Sequence, residues 1–238
     1  CAVYDKTVPN PTIANIEEGR ALYLTAHAQA IIAVGGGSVM DASKAIAAMA
    51  TNAGDVWDYI SGGTGKGKTL EKDPLPLIAV TTTAGTGSEV DAWGVISNPE
   101  TNEKIGFGGD DRLFPVLALV DPQLMLTVPP QYTAYQGFDA LFHSTEVHIG
   151  KFSNGVSDMF TKAAIEAIAA YLPRAVADGN DLEARSKVAF ANTMSGYAMV
   201  VASTTSEHSL EHAMSAFHHE LPHGAGLIMI SKAFYGHF

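Results

Sequence analysis

Cysteine is almost absent from this chain: the only thiol is Cys1. One thiol excludes a disulfide framework and any thiolate metal cluster. Long apolar runs are missing as well, and none approaches the roughly 20 residues that span a bilayer. The N-terminus lacks the basic-then-apolar order of a signal peptide. Basic residues are scarce, 14 Lys plus Arg against 25 Asp plus Glu, for a formal net charge of −11. That balance argues against nucleic acid or an anionic membrane as a partner and leaves room only for a local basic pocket around a phosphate. A cytoplasmic protein is the simplest expectation. The chain opens without an initiator Met and stops within the apolar GLIMISKAFYGHF, so both ends read as cut.

What is present is apolar and small. Hydrophobic residues make up 47% of 238, enough for a sizeable core in one large domain or two modest ones. Charged residues are only 16% and glycines number 23, as in tightly packed α/β enzymes and unlike disordered chains. Cys1 to Tyr4 can be the tail of a strand. Asn15 is placed to cap a helix over 16–28, with Glu18 in the capping-box position. Residues 30–34 form an apolar run that suggests a strand buried on both faces. Gly35-Gly36-Gly37-Ser38 breaks it, and a helix resumes over 39–50.

Strand, glycine turn, helix is the order that aims backbone N–H groups and a positive helix end at a phosphate. Asp41 falls in the first turn of that helix. A tight connection without any ligand has the same pattern. Residues 77–80 form a second apolar strand running into TTTAGTGSE, where five hydroxyls and two glycines suit a ribose or pyrophosphate. An ST-rich capping turn would also read this way. Two such loops after two apolar strands favour the ligand, because α/β sheets bind beyond their strand C-termini. Gly62 to Thr69, GGTGKGKT, matches the P-loop pattern literally, but a poor strand precedes it and Pro74 and Pro76 follow where a helix must open. It is expected to be a glycine-rich surface loop.

A hairpin is expected from residues 90–97 and 104–107 around NPETN, then a strand at 117–120. Val128-Pro129-Pro130 marks a boundary, and the sequence beyond it is helix-period throughout. Helices are expected over 131–148, 157–175, 181–202 and 208–217, with another opening near Gly224. The segment Glu207 to Gly224, EHSLEHAMSAFHHELPHG, holds five of the nine histidines. His208 and His212 are four apart, about 40° around a helix, and so share a face. Asp139 and His143 in GFDALFH have the same spacing. Two such pairs, with His223 in a Pro-His-Gly turn, are enough to build a metal site. His218 and His219 are expected to be solvated, and His27 and His148 to lie at the surface or in simple hydrogen bonds.

Taken together, GGGSVMDASK, TTTAGTGSE, GFDALFHSTE and HSLEHAMSAFHHELPHG resemble the iron-containing alcohol dehydrogenases, most closely the NADPH-dependent butanol dehydrogenase branch. The resemblance runs from VPNPT to the last segment. It implies an α/β dinucleotide-binding domain (1–130) followed by an all-α metal-binding domain (131–238), each incomplete at its outer end, in a dehydroquinate synthase-like architecture. By that resemblance the metal ligands fall on Asp139, His143, His208 and His223. The pyrophosphate loop falls on Gly36, Gly37 and Ser38 with Asp41 beside it. Further nucleotide contacts fall on Thr82, Thr83, Thr86 and Lys104, and His212 matches a second active-site histidine, the expected proton relay.

The implied activity is hydride transfer between NAD(H) or NADP(H) and a small primary alcohol or aldehyde. The segment that chooses between the two nucleotides is one this chain lacks. Ligand chemistry alone favours Zn(2+) at three nitrogens and one oxygen; the resemblance favours ferrous iron, Fe(2+). A zinc-dependent glycerol dehydrogenase-like enzyme and a non-catalytic truncated paralogue are the alternatives. A homodimer is the default assembly.

Overall fold

The computed structural model describes residues 1–237; Phe238, the last residue of the expected helical domain, lies outside the described residues. Helix α1 (Ile13–Ala26) leads into strand β1 (Ile31–Gly35), helix α2 (Gly37–Met49) and strand β2 (Leu77–Thr81). Strands β3 (Trp93–Asn98) and β4 (Glu103–Gly108) form an antiparallel hairpin, with Asn98 opposite Glu103 at the turn and Trp93 opposite Gly108. Strand β5 (Leu117–Val120) completes a parallel three-stranded sheet of order β1-β2-β5. Only helices follow: α3 (Pro130–Ile149), α4 (Gly155–Ala177), α5 (Leu182–Val201), α6 (Glu207–Phe217) and α7 (His223–Tyr235). None of the described helices is long and apolar enough to cross a membrane.

Two expectations about the first elements need correction. The first helix starts three residues early because Thr12, not Asn15, is its cap. The Thr12 hydroxyl accepts from the Asn15 amide, and the Asn15 side chain accepts from the Thr12 amide. Asn15 is thus the third-turn partner of a capping box instead of its start. Cys1 to Tyr4 joins no sheet among the described residues.

β1 is buried on one face only. Ala33 faces α2 and is 2% exposed, whereas Ile32 and Val34 are 65% and 60% exposed. Register places Ile32, Ile78 and Leu117 in one row and Val34, Val80 and Leu119 in the next. An apolar sheet face thus lies open because no described layer covers it.

The GGTGKGKT loop opens no helix. Its Thr64 amide and hydroxyl donate to Glu103 on β4, and Lys68 bonds the Ala53 carbonyl. Two cores carry most of the buried surface. One joins α1, α2 and the hairpin through Ile16, Ile46, Met49 and Ile96; the other joins α3, α4 and α5 through Ala140, Ile168, Leu172 and Val188.

The threonine loop after β2 touches both. Gly87 in that loop has φ +64°, and a Cβ there would stand 2.7 Å from Gly196 Cα of α5. The Gly87 amide donates to Asn192 Oδ1, and Asn192 donates in turn to buried Glu89. Gly87→Ala should cost about 2–4 kcal/mol, from left-handed strain plus a backbone overlap that has no flexible side chain to yield. Urea unfolding reads this, and an unchanged midpoint would contradict it. Lys68→Met, by contrast, should leave nucleotide affinity as it is.

Candidate metal and nucleotide site

The centre of the helical part is a carboxylate ringed by imidazoles. Asp139 and His143 are one turn apart on α3, and His208 stands in the first turn of α6. His223 is the first residue of α7, after Pro222 at the cap. Glycines let α7 reach this point: a Cβ on Gly224 would lie 2.3 Å from the Tyr135 carbonyl of α3. Asp139 is 4% exposed. Its Oδ1 is 3.3 Å from His143 Nδ1, 3.3 Å from His208 Nε2 and 3.6 Å from His223 Nε2. The rings of His143 and His208 stack with centroids 4.0 Å apart.

Each imidazole also has an acceptor at Nδ1. His143 Nδ1 is 3.2 Å from the Gly85 carbonyl, which can only accept, so that nitrogen carries the proton. His208 Nδ1 donates to Glu146 of α3, and His223 Nδ1 donates to Glu211 of α6. All three Nε2 lone pairs are thereby left for another partner, which is the arrangement of histidines that bind metals.

The electrostatics agree. Burial opposes charge on His208, yet Asp139 and Glu146 hold its pKa up at about 9. Burial and His208 push His143 down to about 4. Asp139 is lowered, against its burial, by His143, His223 and His208. One imidazolium thus sits where a divalent cation would replace its proton. The ligand atoms of Asp139, His208 and His223 all lie within 4.8 Å of one another. With His143 beside Asp139, the donor set is three nitrogens and one oxygen, which fits Zn(2+) or Fe(2+). Glu211, His212 and His223 form a second triplet, but the Lys104 ammonium already occupies that carboxylate.

A cavity of about 320 Å³ runs from these histidines to the start of α2. His143, His208, His212 and His223 line one end and Gly37 and Ser38 the other. Gly36 caps α2 without a side-chain hydrogen bond, so the helix N-terminus offers its amides to the cavity. Asp41, Thr86 and Lys104 form the wall between. Gly36, Thr82 and Thr83 stand behind it: Thr82 donates its amide to Gly35, and Thr83 packs where a Gly36 Cβ would be, at 2.9 Å. Gly37 does the same for Thr86, at 2.3 Å. The two loops therefore interlock, glycine against threonine, which brings the uncapped helix end beside the hydroxyls.

Asp41 is fully engaged by the chain itself. Its carboxylate accepts from the Ser88 hydroxyl and the Val95 amide. Burial pushes its pKa up to about 6 against the pull of Lys44. His212 is half-buried, and burial followed by the charges of His223 and Lys104 holds it well below the usual histidine range. His218, His219 and His27 are exposed. His148 bonds Thr161.

Sequence reasoning passed over Glu146, Glu211 and Gly85. Glu146 continues the Asp139 and His143 face one turn on, and Glu211 lies three after His208, so helical spacing could have found both. Gly85 was visible only as part of a nucleotide loop.

An α/β layer with a glycine turn, joined to a helical bundle that carries an Asp/His cluster, is the fold class here. The description "Iron-containing alcohol dehydrogenase" matches residues 1–122, and "Fe-containing alcohol dehydrogenase family, C-terminal" matches 133–236. The chain belongs to the iron-containing alcohol dehydrogenase family. It is 40% identical to alcohol dehydrogenase 4 of Saccharomyces cerevisiae over 223 residues, 94% of this chain and 56% of the yeast protein. Among solved structures it matches an archaeal halo-thermophilic alcohol dehydrogenase from a Red Sea brine pool with TM-score 0.95 and 37% identity, over 98% of this chain and 59% of that one. A sulfoacetaldehyde reductase from Bifidobacterium kashiwanohense, in complex with NAD+, matches with TM-score 0.89 and 33% identity, over 98% of this chain and 61% of that one. The chain spans about half the length of the curated relatives it matches.

Asp139→Ala should abolish metal retention in the purified protein, measured by elemental analysis. An unchanged metal content would remove Asp139 from the ligand set.

Proposed function

We propose that this chain carries the nucleotide and metal sites of an oxidoreductase that moves a hydride between NAD(H) or NADP(H) and a small primary alcohol or aldehyde. The observation that supports it is the single cavity joining the uncapped start of α2 to the four histidines. Residues 1–130 serve as the dinucleotide-binding part and residues 131–238 as the metal-binding part. Fe(2+) is the assigned metal, on the family, with Zn(2+) the alternative that the same donors accept.

Bound metal supplies Lewis acidity and bound nicotinamide the hydride. The chain does the rest. Gly36, Gly37 and Ser38 hold the pyrophosphate on the α2 dipole and so fix the far end of the nucleotide. Thr82, Thr83, Thr86 and Asp41 shape the loop over it. Asp139, His143, His208 and His223 hold the metal, and the acceptors behind the three rings keep them from turning. His212 faces the cavity as a neutral imidazole, ready to accept the hydroxyl proton and pass it to solvent. The apolar wall around Met199 and Trp93 limits water.

The same reading keeps the expected homodimer and cytoplasmic setting. The first rests on how common dimers are among soluble enzymes, the second on the near-absence of cysteine; size-exclusion chromatography tests the assembly.

Activity is read by NADPH absorbance with butyraldehyde on metal-loaded protein. Turnover is expected with the wild type and none with Asp139→Ala. Turnover with glycerol alone would favour a glycerol dehydrogenase-like enzyme, and metal binding without turnover would favour a non-catalytic paralogue.

A further inference from the structure

The family resemblance put Lys104 among the nucleotide contacts, and its place in the cavity wall suits that. Its bonds point elsewhere. Lys104 is 7% exposed, and its ammonium reaches Glu211 at 3.3 Å and Ser215 at 3.0 Å, both on α6. Glu211 is fully buried, and its Oε2 takes both Lys104 and His223 Nδ1. Its Oε1 has no partner, and α7 closes over it so tightly that a Cβ on Gly226 would lie 2.9 Å away. A buried carboxylate with one oxygen unsatisfied is costly unless a charge beside it compensates. Lys104 is the charge in contact with it.

We propose that Lys104 and Glu211 are a positioning pair for His223: the carboxylate fixes the ring through Nδ1, and the ammonium fixes the carboxylate. This rests on the reading of Asp139, His143, His208 and His223 as metal ligands. A strand of the hairpin thereby sets a ligand on the last helix, more than a hundred residues away. Glu146 holds His208 in the same manner, but it also accepts from the Thr205, Glu207 and His208 amides at the start of α6. Its loss would mix a ligand effect with a helix-start effect. Glu211 has no such second task and isolates the contribution.

Cobalt(II) titrated into chelator-treated protein reads affinity and, through its ligand-field absorption, coordination. Glu211→Gln and Lys104→Met should each weaken cobalt binding about 10–100-fold and shift the absorption. NADP(H) affinity of the metal-free variants should stay at the wild-type value. Because Lys104 acts through Glu211, the double variant should bind cobalt no more weakly than Glu211→Gln alone. Circular dichroism of the metal-free forms checks folding, and either single variant suffices if the other does not fold. Unchanged cobalt affinity and spectrum would overturn the inference, as would a loss of NADP(H) affinity in Lys104→Met with cobalt binding intact. Wild-type protein that takes no cobalt would instead overturn the metal reading, and the pair's role would fall with it.

Discussion

The burial of Asp139 is the constraint on which the helical part depends. A carboxylate in a packed interior is expensive unless opposite charge and hydrogen bonds compensate it. Here the compensation comes from three imidazoles brought from α3, α6 and α7, each held from behind by an acceptor. Removing any one helix would leave the others with unpaired buried polar groups. Glu207, fully buried beside His208 with neither oxygen hydrogen-bonded, has its pKa pushed up to about 7 by burial. Polar burial of this density conflicts with what packing alone prefers, and such conflicts gather at functional sites.

The α/β part solves a different problem, which is bringing an unprotected helix end close to a loop. Small residues do this. Gly36 and Gly37 admit the methyl groups of Thr83 and Thr86, and Gly87 lies against Gly196 of α5. Beneath them Lys44, fully buried, donates to Ser88 and Asp91, and Ser88 donates to Asp41. That chain ties α2, the threonine loop and the start of β3 into one floor. The threonine loop then reaches the other site as well, since the Gly85 carbonyl accepts from His143. One loop thus borders both ends of the cavity, which couples where a nucleotide would lie to how a metal ligand is turned.

Much of this was legible in local patterns. Alternation and the NPETN turn located the hairpin, and apolar periodicity located α3 to α7 to within about two residues. The i,i+4 spacing of Asp139 and His143 put both on one face of α3. Misreadings came where two local signals competed. Thr12 and Asn15 are both good caps, and the reciprocal bonds that decide between them do not show in composition. The apolar run at β1 suggested burial on both faces, while Ile32 and Val34 lie on a face without a covering layer. Asp41 read as a helix-start carboxylate facing a phosphate, but its oxygens are taken by Ser88 and Val95.

By itself the sequence determined element type, the order α/β then all-α, and the residues able to ligate a metal, because these follow from periods of two and 3.6 residues and from side-chain chemistry. Only the tertiary structure decided which acceptor stands behind each imidazole, and that Lys104 of β4 meets Glu211 of α6. Those pairs are 107 residues apart for Lys104 and Glu211 and 62 for Glu146 and His208. No local pattern encodes them. They exist because packing brings distant helices together, and once buried, each polar atom must take whichever partner lies within reach.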